Sequence, residues 1–418
     1  MASITQHKTQ MFKFGMYGFL KNLRFFEPYI IIFFLASELN LFKVGILISI
    51  REIIKYVFEI PSGVIADQHG KKSELAMCFV FYIISFVLFF IGGIQQSFLI
   101  FIVAMIFYGF GEAFRSGTHK SMIMQFLDKE DIEESKSMVY GQTRSMSLIG
   151  SMVMSIVSIV FVLWLPDIRY LFLIAIIPFA IDLLMILTYP KYMNQKQQSS
   201  FKLKTFLKEN WLSIKYVVKT KKVRGFVFDA SAFQAGFKSI KDYIQPLIIS
   251  ISIGLVVIDR FTIEENQKIY IGVIYAIIYF ISSFATRNAH KVEAKYDKVK
   301  VINYAWLIMG LVSLIIGLFT NNIIVIFLAF VLMYITLNIR RPVMVQEIGN
   351  VTDEGKRASV LSIQSQISSL LLVIFAPIIG LIADYSLKLL FILVGATMIL
   401  IFIIATITRR QIAANKTG

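Results

Sequence analysis

A chain of 418 residues with 57% hydrophobic and 16% charged residues is too apolar for an ordinary soluble domain, which is about half apolar and about a quarter charged. Its 42 Lys and Arg against 26 Asp and Glu give a formal charge of +16, but these cations lie between apolar runs, so they read as membrane-orienting charge and no nucleic-acid partner is expected. Cys78, the single cysteine, falls inside an apolar run, which excludes an internal disulfide or a cysteine metal site.

A bilayer core requires about 20 mostly apolar residues per helix. Twelve such segments follow in chain order, near 14–38, 43–66, 74–94, 98–120, 137–163, 169–190, 223–250, 267–288, 300–319, 322–346, 358–383 and 387–408. The first is long, carries Arg24 and Glu27 and lacks a small-residue cleavage site, so a cleavable signal peptide is not expected. Lys71, Lys72, Lys129, Lys136, Lys291, Lys295, Lys298, Lys356, Arg357, Arg409 and Arg410 would share one side of the membrane, which puts both termini in the cytoplasm. The expected location is a bacterial-type cytoplasmic (inner) membrane, with the lipid bilayer as the first partner.

Residues 191–222 form the longest polar interruption and divide the chain into an N-terminal six-helix bundle (1–190) and a C-terminal one (223–418). Nine lysines in it face the single acid Glu209, and Phe206, Trp211, Ile214 and Val218 recur among them at near-helical spacing. That pattern predicts an amphipathic helix on an anionic leaflet; a flexible basic linker is the alternative.

The densest local signal joins the second and third segments: Gly63-Val64-Ile65-Ala66-Asp67-Gln68-His69-Gly70-Lys71-Lys72. Read alone, it is a polar turn in which Gly63 and Gly70 permit unusual dihedrals and close backbone approach, and Asp67 accepts hydrogen bonds from a helix start. Its spacing, G-x-I-A-D-x-x-G-K-K, closely resembles the motif that major facilitator superfamily transporters carry between their second and third helices. The resemblance extends to the layout of the whole chain, whereas the motif covers only about ten residues of it. It implies an all-α membrane protein of twelve transmembrane helices in two pseudo-symmetric six-helix bundles, rocking around a central cavity. It further implies that Asp67 belongs to a charge relay that holds the outward-facing state, supported by Gly63, Gly70, Lys71 and Lys72, with Arg115 or Arg144 as partner. Gly380-Leu381-Ile382-Ala383-Asp384 looks like the first half of the same motif, but on the opposite side of the membrane. The fifth helix departs from the drug–proton antiporters of the family: Ser147–Met152 has one Gly and no Pro, which weakens a drug-efflux assignment.

Ionisable residues inside spans are costly and usually face a bundle interior or a water-filled cavity. Arg24 and Glu27 lie three apart before Pro28 and can pair. Glu52 and Lys55 share a stripe of the second segment, Glu112 and Arg115 lie three apart in the fourth, and Arg144 sits in a Ser- and Gly-rich part of the fifth. The seventh carries Lys238, Lys241 and Asp242, with Lys238 and Asp242 four apart and Pro246 following, and the tenth carries Arg340. These eleven residues are the candidates for substrate binding or proton coupling, because a carboxylate's proton affinity changes with desolvation and with a nearby cation. No Walker loop is present and the four histidines are scattered, so no ATP site, metal or other cofactor is expected.

The sequence therefore predicts a monomeric secondary transporter, not an enzyme. It would move a small organic solute by alternating access, coupled to protons and in the export direction. The density of cations suits an anion or zwitterion. Uptake or facilitated uniport of such a solute, and a non-transporting receptor with a transporter fold, are the alternatives.

Overall fold

The computed structural model describes residues 8–115, 118–130, 136–194, 203–251 and 261–414, and its regular elements are all helical. The first expected span is broken. α1 (Lys8–Leu20) ends in a turn where the amides of Asn22 and Leu23 donate to the carbonyls of Phe19 and Leu20. Glu27–Tyr29 then form a 3-10 turn, and α2 (Ile30–Ala36) resumes the helix. Pro28 explains the restart: it has no N–H to donate backwards, and its fixed φ suits a first helical turn.

α3 (Leu41–His69) runs without a break through Pro61 and Gly63, and α4 (Lys71–Gln95) starts at once. The ten-residue turn expected from the sequence thus shrinks to Gly70, at φ 97°. A side chain there would strike the backbone oxygen of Asn194, and Ser73 donates to the Asn194 amide oxygen from both N and Oγ, at 3.1 and 3.2 Å. Glycine is needed at this position for both conformation and space. Gly63 is helical, and nothing lies within 4 Å of where a Cβ would stand, so neither argument applies to it.

The remaining elements are α5 (Phe98–Arg115), α6 (Thr118–Lys129), α7 (Lys136–Trp164), α8 (Tyr170–Leu187), α9 (Leu203–Lys219), α10 (Lys221–Ile240), α11 (Ile244–Ser250), α12 (Ile263–Lys295), α13 (Lys298–Leu318), α14 (Ile323–Asn350), α15 (Arg357–Tyr385) and α16 (Leu387–Ala414). Among the described residues nine stretches are long and apolar enough to cross a membrane: α4, α5 with α6, α7, α8 and α12 to α16. The three other expected spans are α1–α2, α3 and α10–α11. They fall short because two are interrupted and α3 carries Arg51, Glu52, Lys55 and Glu59. The polar residues that disqualify them include candidates singled out above.

The helices form two units. The first comprises Met1–Leu39, Ile46–Leu203 and Lys268–Tyr279, and the second comprises Asn40–Gly45, Lys204–Gln267 and Phe280–Gly418. The first has an aromatic core in which Phe26 stacks on Phe172 at 4.5 Å and Phe86 meets Phe179 edge-on at 4.9 Å. The second has an aliphatic core that includes Val223, Val227, Ile302, Val343, Val360 and Ile363. Part of the linker helix belongs to it: Val217 of α9 is 1% exposed in this cluster, while Trp211 and Leu212 of the same helix stay exposed. Lys356 sits 4.1 Å over the Tyr216 ring, and its hydrogen bond to Asp353 holds that carboxyl below the usual carboxylate range. Also in the second unit, Asp384 at the end of α15 accepts from the amides of Leu41 and Phe42 at 2.6 and 2.9 Å, satisfying two orphan donors at the start of α3.

Candidate functional site

In the first unit, the break between α1 and α2 brings Arg24 against α4 and α5. Its guanidinium donates to Tyr108 Oη at 2.6 Å, Tyr82 Oη at 3.3 Å and Glu112 Oε1 at 3.0 Å. Arg115 donates to both Glu112 oxygens, at 3.2 and 3.0 Å, and its Nε donates to Tyr82 Oη at 3.2 Å. Tyr82 Oη in turn donates to Glu112 Oε1 at 2.6 Å. One carboxylate therefore binds two guanidiniums and a phenol, with side-chain exposures of 16% for Glu112, 14% for Arg24 and 26% for Arg115. The sequence groups Glu112 with Arg115 correctly, but the Arg24–Glu112 bond, 88 residues apart, is beyond its reach. Glu27 lies at the break, with a charge that acts on Tyr108, and Lys55 acts on Glu112 in the same way. On α3, Glu52 accepts from Arg51 at 3.0 Å. Tyr82 escapes sequence reasoning because, as an aromatic in an apolar segment, it gives no charge signal.

Arg144 contributes no hydrogen bond to this cluster among the described residues; it is exposed on α7. The side chain of Asp67 lies outside the described residues. Arg115, one of its two expected partners, donates to Glu112 and Tyr82. Lys71 donates to Ser121 Oγ at 2.7 Å and Lys72 to the Tyr189 carbonyl at 3.0 Å, so both motif lysines tie their helix to neighbouring elements.

In the second unit, Arg340 is 3% exposed. It donates to Asp229 at 2.6 Å and to the Ile302 carbonyl at 3.2 Å, and it lies 4.0 Å over the Phe233 ring. Trp306 Nε1 donates to the other Asp229 oxygen at 2.6 Å. The seventh expected span breaks at the 3-10 turn Lys241–Tyr243, ahead of Pro246 in α11. At that break Lys241 donates to both Asp242 oxygens at 2.6 Å. Regular α-helix ends at Ile240, so the four-residue spacing of Lys238 and Asp242 spans the change to the 3-10 turn.

Between α10, α14 and α15, and reaching Lys241 of this break, lies a cavity of about 430 Å³. Its lining brings together Lys238, Lys241, Arg340 and Arg341 with the amides of Gln234 and Gln364, and no carboxylate is among its described lining residues. Gln364 donates to Gln234 across it at 3.1 Å. The glutamines are not foreseen from sequence, since a neutral amide carries no charge signal; Arg341, a helix-end residue by its position in the sequence, lines the cavity instead. Broken, Pro-marked helices at corresponding positions of two halves are a general pointer to a binding site, and both breaks here carry acid and base together.

Comparison with known proteins agrees with this architecture. The sequence model of the Major Facilitator Superfamily matches residues 17–286. An uncharacterized MFS-type transporter, YxaM of Bacillus subtilis (strain 168), is 31% identical over 96 residues, a match spanning only 23% of either chain. A single-site variant of the nucleoside transporter NupG superposes with a TM-score of 0.78 at 13% identity, over 94% of this chain and 99% of that one. A POT family transporter in complex with 5-aminolevulinic acid gives 0.74 at 14% identity, over 97% and 96%. With the family model covering well over half of the chain and the fold shared along its length, the chain belongs to the major facilitator superfamily.

Proposed function

We propose that this transporter moves a small organic anion or zwitterion by alternating access in a cytoplasmic membrane, with proton movement coupled to the flux and export as its direction. The observation that carries the reading is the cavity beside the α10–α11 break, whose lining has four cationic side chains, two amides and no described carboxylate. Although Arg340 and Lys241 also hold Asp229 and Asp242, a lining of this charge favours a carboxylate, phosphate or sulfonate through charge-assisted hydrogen bonds. The Lys241–Asp242 pair at its edge would answer the ammonium of a zwitterion. The Glu112 cluster supports coupling: a carboxylate held by two guanidiniums gains or loses proton affinity as those partners approach or withdraw. One structural neighbour holds 5-aminolevulinic acid and another, a peptide transporter, holds sulfate.

The test begins with a thermal-shift panel of carboxylates, phosphates, amino acids and uncharged solutes on the purified chain, since a ligand stabilises the state it binds. The strongest binder is then followed into and out of proteoliposomes with and without a pH gradient. Anions or zwitterions should lead the panel. Lys238→Gln and Lys241→Gln should each weaken binding about 10-fold or more, the loss of one hydrogen bond to a charged group at about 1.5–3 kcal/mol. Preference for uncharged solutes, or flux indifferent to the gradient, contradicts the reading.

A further inference from the structure

Asp182 is not among the sequence candidates, and the Glu112 cluster does not use it. α8 presents Ile177, Ile181 and Leu184 on one face, at 60, 49 and 64% exposure, as lipid-facing helices do. Asp182 points the other way, is 0% exposed, and has no hydrogen-bond partner among the described residues on either carboxyl oxygen. An ionised carboxylate so placed leaves its charge uncompensated, at a cost that proteins avoid by pairing or by neutralising the group. A simple structural acid would be expected to find a donor, as Glu112 does.

The groups coupled electrostatically to Asp182 lie on or just after α1, α4 and α8. Lys21, in the turn after α1, is half-buried, and its charge acts on Asp182. Tyr17 of α1, Cys78 of α4 and Tyr189 after α8 feel the Asp182 charge in return. Tyr17 stacks on His119 of α6 at 3.5 Å and 12°, and His119 Nε2 and Tyr189 Oη share a hydrogen bond of 3.2 Å. Lys21 Nζ sits 4.9 Å over the Tyr17 ring, and Arg115, Arg24 and Arg144 also act on it.

We propose that Asp182 is a proton-binding site of the transporter, with Lys21 as its counter-ion and its route to water. In the arrangement seen, neither carboxyl oxygen has a described donor; on this proposal one of them carries the proton. On release that O–H bond breaks, its electron pair stays on oxygen, the proton passes to water, and the Lys21 ammonium moves onto the carboxylate. Arg115 binds Glu112 and also acts on Lys21, so a change at the Glu112 cluster alters the field at Lys21, the counter-ion proposed for Asp182. The inference deepens the proton-coupling reading, but its test does not depend on flux.

The test is infrared spectroscopy of the purified full-length chain in lipid nanodiscs as pH is raised, with aspartate carbon-13 labelling in the wild-type chain to assign the acid carbonyl without any substitution. The expected result is a carbonyl band of a protonated, unbonded aspartic acid that shifts with the label, vanishes in Asp182→Asn, and is lost as pH rises from about 5 to about 10, spanning the range over which perturbed carboxyls titrate. Lys21→Gln should displace the midpoint of that loss. No label-sensitive band of this kind overturns the proposal, and so does a band that no pH in the range removes. If Asp182 titrates but flux ignores a pH gradient, the coupling reading fails while this site stands; if flux follows the gradient without an Asp182 band, the reverse holds.

Discussion

Replacing Glu112 with Gln is expected to lower the thermal stability of the protein and to make its flux indifferent to an imposed pH gradient. The carboxylate is the only described group that answers both Arg24 and Arg115 with its charge, at 3.0 Å each. An ordinary interhelical hydrogen bond in a membrane contributes about 0.6 kcal/mol. Stranding a charge that has lost its partner costs more, about 3 kcal/mol, and here two guanidiniums are stranded together. The second scale should dominate, so a double variant, Glu112→Gln with Arg24→Gln, should recover part of the lost stability. Thermal unfolding of the detergent-purified variants checks the first half of the prediction, and proteoliposome flux checks the second. A Glu112→Gln protein as stable and as pH-responsive as wild type would show that the cluster neither holds the helices nor couples them to protons.

Asp229→Asn should have the larger effect on folding and a smaller one on pH response. Arg340 is 3% exposed, and Asp229 is its described carboxylate partner. Its other described contacts include the Ile302 carbonyl and the rings of Phe233 and Trp306. Loss of the carboxylate charge leaves a guanidinium that has little access to water, at a cost of about 3–5 kcal/mol. Folded yield and unfolding temperature should therefore fall further than for Glu112→Gln, whose partners are 14 and 26% exposed. Arg340→Lys should not rescue it, because an ammonium cannot reproduce the planar fork that reaches Asp229 and Ile302 together. Equal stability of Asp229→Asn and wild type would refute the structural role.

These two clusters also show how far the sequence can be read. The helices are legible because lipid demands long apolar runs, and the family is legible from Gly63–Lys72 together with the layout. The breaks at Glu27–Tyr29 and Lys241–Tyr243 are not, although Pro28 and Pro246 mark both: apolar residues continue on either side, so hydropathy does not register the interruption. The partners of Arg24 and Arg340 lie 88 and 111 residues away, and only the fold brings them together. Local spacing therefore finds the pair it can see, Glu112 with Arg115, and does not single out the adjacent Lys241–Asp242 pair, which forms in the turn where the helix breaks. Asp182 is open to the rule that singles out the others, as a lone acid in an otherwise apolar helix. It escapes notice because no base stands beside it in sequence.

The account rests on charged groups inside the spans facing water rather than lipid, and the single cysteine makes that directly measurable. In a Cys78→Ser background, Lys238→Cys in proteoliposomes should react with a membrane-impermeant, water-soluble thiol reagent, and the solute selected by the thermal-shift panel should slow the reaction. Leu184→Cys, on the exposed apolar face of α8 at 64% exposure, should stay unreactive. Reaction at position 238 no faster than at position 184, under either orientation of the pH gradient, would contradict a water-filled substrate site beside the α10–α11 break.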